Sequence, residues 1–161
     1  MRGAPEEAIY IRMSARHHDG PVRGREIEGA GMFTAVTGTI AISVDPVYRP
    51  DESAPDERRW TWSYRVVIEN RGGTAVQLLT RRWLITDGRG VTREVAGRGV
   101  VGQQPSIPPG GRFEYTSGCP LDTPTGFMVG SYRMITEDGD TLDVAIPAFP
   151  LDLPDAPRVL N

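Results

Sequence analysis

Hydrophobic residues recur at every second position from Met32 onward, and this alternation constrains the fold more than any other feature of the chain. A period of two places side chains on one face of a β-strand, whereas a helix needs a period of 3.6. One such set is Ile40, Ile42 and Val44. A longer set follows the polar loop at 49–59 and consists of Trp60, Trp62, Tyr64, Val66 and Ile68. Later runs with the same spacing, separated by short turns, predict a sandwich of two antiparallel sheets.

The hydrophobic face of one predicted strand changes partway along its length. Val76 and Leu78 share a face on even numbers, but Trp83 and Ile85 continue on odd numbers. One extra residue in a strand exchanges its two faces. We therefore predict a bulge or bend between Leu79 and Arg82.

The composition favours a single all-β domain. A chain of 161 residues with 39% apolar content can bury one substantial core, and 19 Gly with 14 Pro favour tight turns over long helices. Residues 1–31 are charged and lack the alternation, so we predict a flexible N-terminal tail. Within it, Pro5 and the acids after it predict a short helix to about Arg16. The domain is expected to span residues 32–161.

Charge and residue inventory exclude several classes of function. The formal net charge is −3 at pH 7, which disfavours nonspecific binding to nucleic acid. All 18 basic residues are Arg, so Schiff-base chemistry and a phosphate-loop Lys are excluded. The single cysteine, Cys119, permits no intramolecular disulfide and is expected to be a small, partly buried thiol. No segment approaches the roughly 20 apolar residues of a membrane span, so a cytoplasmic protein with no membrane partner is expected.

Gly97, Gly99 and Gly102 spell GxGxxG directly after a predicted strand, as in a dinucleotide-binding fingerprint. In a working fingerprint the third glycine lies in a helix whose N-terminus holds the pyrophosphate. Here the chain continues QQPSIPPGG, which cannot propagate a helix, so we predict an irregular loop bridging the two sheets. A weaker hypothesis remains open, in which Gly97, Arg98, Gly99 and Gly102 form a backbone nest for a small anion such as pyrophosphate.

Other candidate sites have simpler structural interpretations. His17 and His18 are the only histidines, and both lie in the predicted tail, which leaves the domain without an imidazole for a hydrolase triad. The acids around Gly139 resemble part of a calcium loop but fit a hairpin turn better. The period-two placement of the aromatic residues predicts a hydrophobic core rather than a stacking platform for bases. No catalytic residue, metal site or cofactor is predicted.

From about Phe33 to Pro154 the chain resembles the ApaG proteins. The resemblance rests on VQLLTRRWLITDGRG, GVVGQQPSIPPGGRFEYTSG, TPTGFMVGSYRMITEDGD and IPAFPLDLP, in the family's order, over about four fifths of the chain. It implies an immunoglobulin or fibronectin type III-like sandwich, here of about seven to eight strands. It also implies a link to cobalt tolerance and magnesium efflux, as in bacterial members, and to protein binding, as in the module's eukaryotic F-box and polymerase-interacting hosts.

Two functions are therefore expected from the sequence. The first is a non-enzymatic binding or adapter domain that meets a protein partner, with a homodimer also open. The second is a sensor of small anions that uses Gly97 to Gly102 with Arg98. A metal-dependent hydrolase would need clustered ligands that this inventory does not supply.

Overall fold

The computed structural model of the protein describes residues 16–18 and 32–154. The predicted helix from Pro5 falls outside these residues except for its last position, Arg16. That residue begins a short strand, Arg16–His18, which pairs with a strand of the domain. The expectation of a flexible tail over residues 1–31 stays a prediction.

The described chain contains ten strands and two single-turn 3₁₀ helices, the latter at Pro50–Glu52 and Pro55–Glu57. The strands are β1 (Arg16–His18), β2 (Phe33–Thr37), β3 (Ile40–Tyr48), β4 (Trp60–Asn70), β5 (Val76–Asp87), β6 (Thr92–Arg98), β7 (Ser106–Ile107), β8 (Arg112–Leu121), β9 (Gly126–Thr136) and β10 (Thr141–Leu151). Apart from the short β1 and β7, eight strands remain, in agreement with the predicted number.

The strands form two sheets, and every pairing in them is antiparallel. The first sheet has the order β1-β8-β4-β3-β2, and the second has the order β10-β9-β5-β6 with β7 paired to β5. Because consecutive strands β4 and β5 lie in different sheets, the chain crosses between layers and closes a core between them. The predicted antiparallel sandwich is confirmed.

The core lies between the inner faces of the two sheets. The alternating residues of β3 and β4 are buried as predicted, with Trp60 partly buried at the end of its strand. Trp83 of β5 meets two aromatic side chains edge to face, and the centroid of its ring lies 5.3 Å from that of Tyr64 and 5.9 Å from that of Phe149. Each large apolar side chain buried in this way stabilises the fold by about 1.5–3 kcal/mol. The predicted aromatic core is confirmed.

A bulge in β5 lies at Leu79, the first residue of the predicted interval. Leu78 pairs with Met134 of β9 and Thr80 pairs with the adjacent Arg133, so Leu79 is the extra residue. It brings Leu78 and Trp83, which differ in parity, onto the same buried face.

The sandwich has two ends, which carry different loops. At the Trp60 end, β4 begins, β5 and β8 finish and β9 begins, because Trp60 pairs with Leu121 and Asp87 pairs with Gly126. The loops at 49–59, 88–91 and 122–125 therefore meet there. The glycine-rich loop after β6 lies at the opposite end, the Asn70 end, where Asn70 donates a hydrogen bond to the carbonyl of Ile107 over 3.0 Å.

Candidate functional site

The glycine motif is divided between a strand and a loop. Gly97 and Arg98 belong to β6, opposite Arg81 and Thr80, so the loop begins only at Gly99, after the first two residues of the motif. Gly99 and Gly102 lie in the loop itself, which runs without a helix to β7. The Rossmann arrangement requires a helix launched from the third glycine, and the structure has a turn there instead. The prediction of a loop without a helix is confirmed from Gly99 to Pro105, but this loop does not bridge the sheets. It joins β6 to β7, which both pair with β5, and the chain crosses to the first sheet only after Ile107.

Hydrogen bonds join the glycine-rich loop to the bulge in β5. The carbonyl of Leu79 accepts hydrogen bonds from the Gly99 amide and from Nε2 of Gln104, each over 2.9 Å. Arg81 Nη1 donates to the carbonyl of Gly99 over 2.9 Å. Gly99 lies one position beyond Arg98, the β6 partner of Thr80, so its bond to Leu79 extends the β5–β6 pairing into the loop.

Gly99 is required by close backbone contact. It has a φ of +65°, and a Cβ at this position would lie 2.2 Å from the carbonyl oxygen of Gln103. The next residues form a tight turn, in which Val100 and Gln103 exchange backbone hydrogen bonds of 2.8 and 2.9 Å. The central residues of this turn, Val101 and Gly102, have φ angles of +47° and +74°. Positive φ is unusual for a β-branched residue, and Val101 is held there by packing against the core.

This hydrogen bonding leaves little of the proposed anion nest. The amides of Gly99, Val100 and Gln103 all donate within the protein. Among the described residues, only the amides of Val101 and Gly102 in this turn lack an internal acceptor. Arg98 is exposed nearby, with Nη2 3.5 Å from Oε1 of Gln104. Two adjacent amides and one guanidinium are thus available to an anion.

A cavity lies at the Trp60 end, and sequence reasoning did not identify it. It has a volume of about 610 Å³ and is lined by residues 57–59, by the β5–β6 hairpin and by residues 120–122. We call it the arginine cleft after its four cations, Arg58, Arg59, Arg89 and Arg93. Pockets for small-molecule ligands span roughly 300–1,000 Å³. These lining segments are far apart in the sequence, so no local motif could have revealed them.

Two of the four cleft arginines are paired with acids. Nη1 of Arg59 lies 3.3 Å from Oε2 of Glu57. Nη2 of Arg89 lies 2.5 Å from Oδ2 of Asp122. The hydrogen bond to Asp122 raises the pKa of Arg89 above its usual value.

The other two have no carboxylate partner among the described residues. Arg93 donates to the carbonyl of Pro120 over 3.3 Å, while the side chain of Arg58 makes no hydrogen bond or ion pair there.

Cys119 lies beside this cleft, within the core. It is only 2% exposed, and desolvation raises the pKa of its thiol to about 11, against the opposing effect of Arg93. The thiol is therefore neutral near pH 7, which makes it a poor nucleophile. It is more deeply buried than the sequence predicted.

The remaining sequence candidates do not form a site. The acids Glu137, Asp138 and Asp140 surround a hairpin turn, closed by a 2.9 Å hydrogen bond from the Thr136 amide to the Asp140 carbonyl. Within the described residues, no three His, Cys, Asp or Glu side chains cluster as metal ligands. The same residues contain no helix long and apolar enough to span a membrane.

The outer face of the second sheet carries four neighbouring apolar side chains, one exposed and three half-buried. Leu84 pairs with Val129, and Phe127 pairs with Pro150, so these four residues form a continuous surface that we call the apolar strip. Phe127 is 46% exposed. The sequence signal was present in β9, where GFMV is apolar on both faces, but alternation alone assigns only one face to the core.

Alanine substitutions at Gly99 and Gly102 distinguish a glycine required by close contact from one favoured only by its positive φ. Gly99→Ala is expected to cost about 3 kcal/mol or more, because the added Cβ meets the Gln103 carbonyl and φ is positive. Gly102→Ala, at positive φ but with open space around it, should cost about 1–2 kcal/mol. Urea unfolding measures both values. Equal losses would contradict the role assigned to Gly99.

Known proteins match the chain in sequence and in fold. The ApaG domain matches residues 50–136. Protein ApaG of Allorhizobium ampelinum is 54% identical over 130 residues, which are 81% of this chain and 100% of that protein. Protein ApaG of Rhizobium meliloti is 52% identical over the same shares. The crystal structure of a Bordetella pertussis protein described as ApaA is 46% identical, with a TM-score of 0.70, and covers 72% of this chain and 94% of its own. The chain therefore belongs to the ApaG family.

Proposed function

We propose that this protein is a non-enzymatic adapter domain that binds a partner protein through the outer face of its second sheet. The apolar strip carries this proposal. A large aromatic side chain that is 46% exposed on a flat sheet face loses unfavourable contact with water when a partner covers it. Aromatic residues are also enriched among those that dominate protein interfaces.

The surroundings of the strip resemble the polar rim of an interface. Arg82 and Glu94 form an ion pair of 3.0 Å, and Arg133 lies 3.5 Å from Asp143. By strand register both pairs share the outer face with the strip. Exposed ion pairs around an apolar centre restrict which partners fit while contributing little affinity.

The rest of the sandwich supports binding as a rigid unit. Three residues of the strip lie on the paired central strands β5 and β9 and the fourth, Pro150, on the adjacent β10, so its shape is set before a partner arrives. A rigid surface loses little conformational entropy on binding. Any role in divalent-cation homeostasis, as the family resemblance implies, would then be exerted through the partner.

A second candidate function is the sensing of a small anion at the glycine-rich loop. It is favoured by the two adjacent amides of Val101 and Gly102, both at positive φ, beside the exposed Arg98. Successive amides in this conformation can converge on one anion. The site would hold a phosphate or pyrophosphate on few contacts, so its affinity would be low.

Charge introduced into the strip tests the adapter proposal. Phe127→Glu is expected to weaken binding to the partner about tenfold or more, because a carboxylate would be buried against apolar surface. Its matched control is Val36→Glu on β2 of the other sheet, where Val36 is 56% exposed. Proteins captured from cell extract by the wild type would be identified, purified and titrated against both variants by calorimetry. Equal affinities of the two variants would contradict the proposal.

Pyrophosphate titration tests the second candidate. If the glycine-rich loop holds an anion, the NMR amide signals of Arg98, Val101 and Gly102 should shift together at millimolar pyrophosphate. The amide of Gly99, which already donates to Leu79, should shift less. Unmoved signals throughout the loop would exclude this function.

A further inference from the structure

We propose that the arginine cleft at the Trp60 end binds an acidic side chain of the partner protein. This inference rests on the proposed adapter function and assigns a second contact to it. The occupant would be an extended segment that carries Asp or Glu next to an apolar residue.

The charges of the cleft favour a carboxylate. Of the four lining arginines, Arg58 and Arg93 form no ion pair with a carboxylate among the described residues, while Arg59 and Arg89 are already paired. A guanidinium presents two parallel N–H donors that match the two oxygens of a carboxylate. An incoming Asp or Glu would therefore complete pairs that the protein itself leaves unmade.

The apolar part of the cleft favours an apolar residue next to the acidic residue of the ligand. Ile85, Val91 and Leu121 line the cavity together with the arginines. Val91 is 62% exposed at the tip of the β5–β6 hairpin. These side chains could cover one aliphatic side chain of the ligand, which would exclude water from the ion pair and strengthen it.

The same lining disfavours a polyphosphate. Glu57, Asp87 and Asp122 also face the cleft, and three carboxylates would repel a ligand that carries several negative charges. A single carboxylate on a peptide of mixed charge avoids most of that repulsion. The cleft is thus distinct in ligand class from the glycine-rich loop at the opposite end.

Arg58 is positioned by its backbone. It has a φ of +55°, which is uncommon for a residue other than glycine. The Arg58 amide donates to the Pro55 carbonyl over 2.9 Å, and Ala54 and Arg59 exchange hydrogen bonds of 2.8 and 3.1 Å. The loop is therefore held in one conformation around Arg58, which lowers the entropic cost of binding.

The test uses the full chain and a rhodamine-labelled octapeptide of Ser and Gly that carries one central Glu-Leu pair. A second peptide with Gln in place of that Glu controls for the carboxylate. Arg58→Gln is the variant of choice because Arg58 has no partner within the described residues, so its loss should leave the fold intact. Arg71→Gln is its matched control, since Arg71 is an exposed arginine paired with Glu69 near the Asn70 end.

The Glu peptide should bind by fluorescence anisotropy and shift the amide signals of residues 57–59, 87–93 and 120–122. Arg58→Gln should weaken this binding about tenfold, as expected for one charge-assisted hydrogen bond, and Arg71→Gln by less than about twofold.

The inference is overturned if the Gln peptide binds equally well, if the two arginine variants behave alike, or if the Glu peptide is silent at millimolar concentration. Pyrophosphate that occupies the cleft more tightly than the Glu peptide would also overturn it. If a captured partner binds Arg58→Gln with wild-type affinity and fails to bind Phe127→Glu, that result would contradict the role of the cleft but not the adapter function.

Discussion

β5 can bury both Leu78 and Trp83 in one core only because Leu79 is an extra residue between them. Without the bulge, one of these side chains would point to solvent, and the central strand of the second sheet could not close the sandwich. The carbonyl of the bulged Leu79 lies one position beyond the last β5–β6 pair and needs hydrogen-bond donors there. The glycine-rich loop supplies two, the Gly99 amide and the Gln104 side chain.

This dependence distinguishes the glycines that serve the fold from the two surfaces proposed to bind a partner protein. Gly97 allows the Arg81 guanidinium to pass close by, and Gly99 allows the loop to approach Gln103. Both roles are structural. The apolar strip and the arginine cleft lie instead on a sheet face and on loops at the other end, which the rigid sandwich holds in fixed positions. Stability and recognition therefore draw on different residues.

Sequence reasoning predicted those parts of the fold in which each strand buries one face, because the hydrophobic pattern then marks that face. The alternation in β3 and β4, the parity change in β5 and the absence of a helix after Gly102 all follow from local patterns. It did not predict that Gly97 and Arg98 would be strand residues, because glycine disfavours strands when packing is ignored. It also missed the arginine cleft, because Arg58 and Arg93 come together only in the tertiary structure. It missed the exposure of Phe127 as well, because the neighbours of Phe127 in β9 are buried on the opposite face of the strand.

Amide hydrogen exchange at the glycine-rich loop tests most directly whether this motif serves the fold. If Gly99 donates to Leu79, its amide should exchange several orders of magnitude more slowly than in an unfolded chain, at a rate set by opening of the sheet. The amides of Val100 and Gln103 should be protected as well, and those of Val101 and Gly102 should exchange fast. Rapid exchange at Gly99, Val100 and Gln103 together would contradict the account and return the loop to the role of an open ligand site.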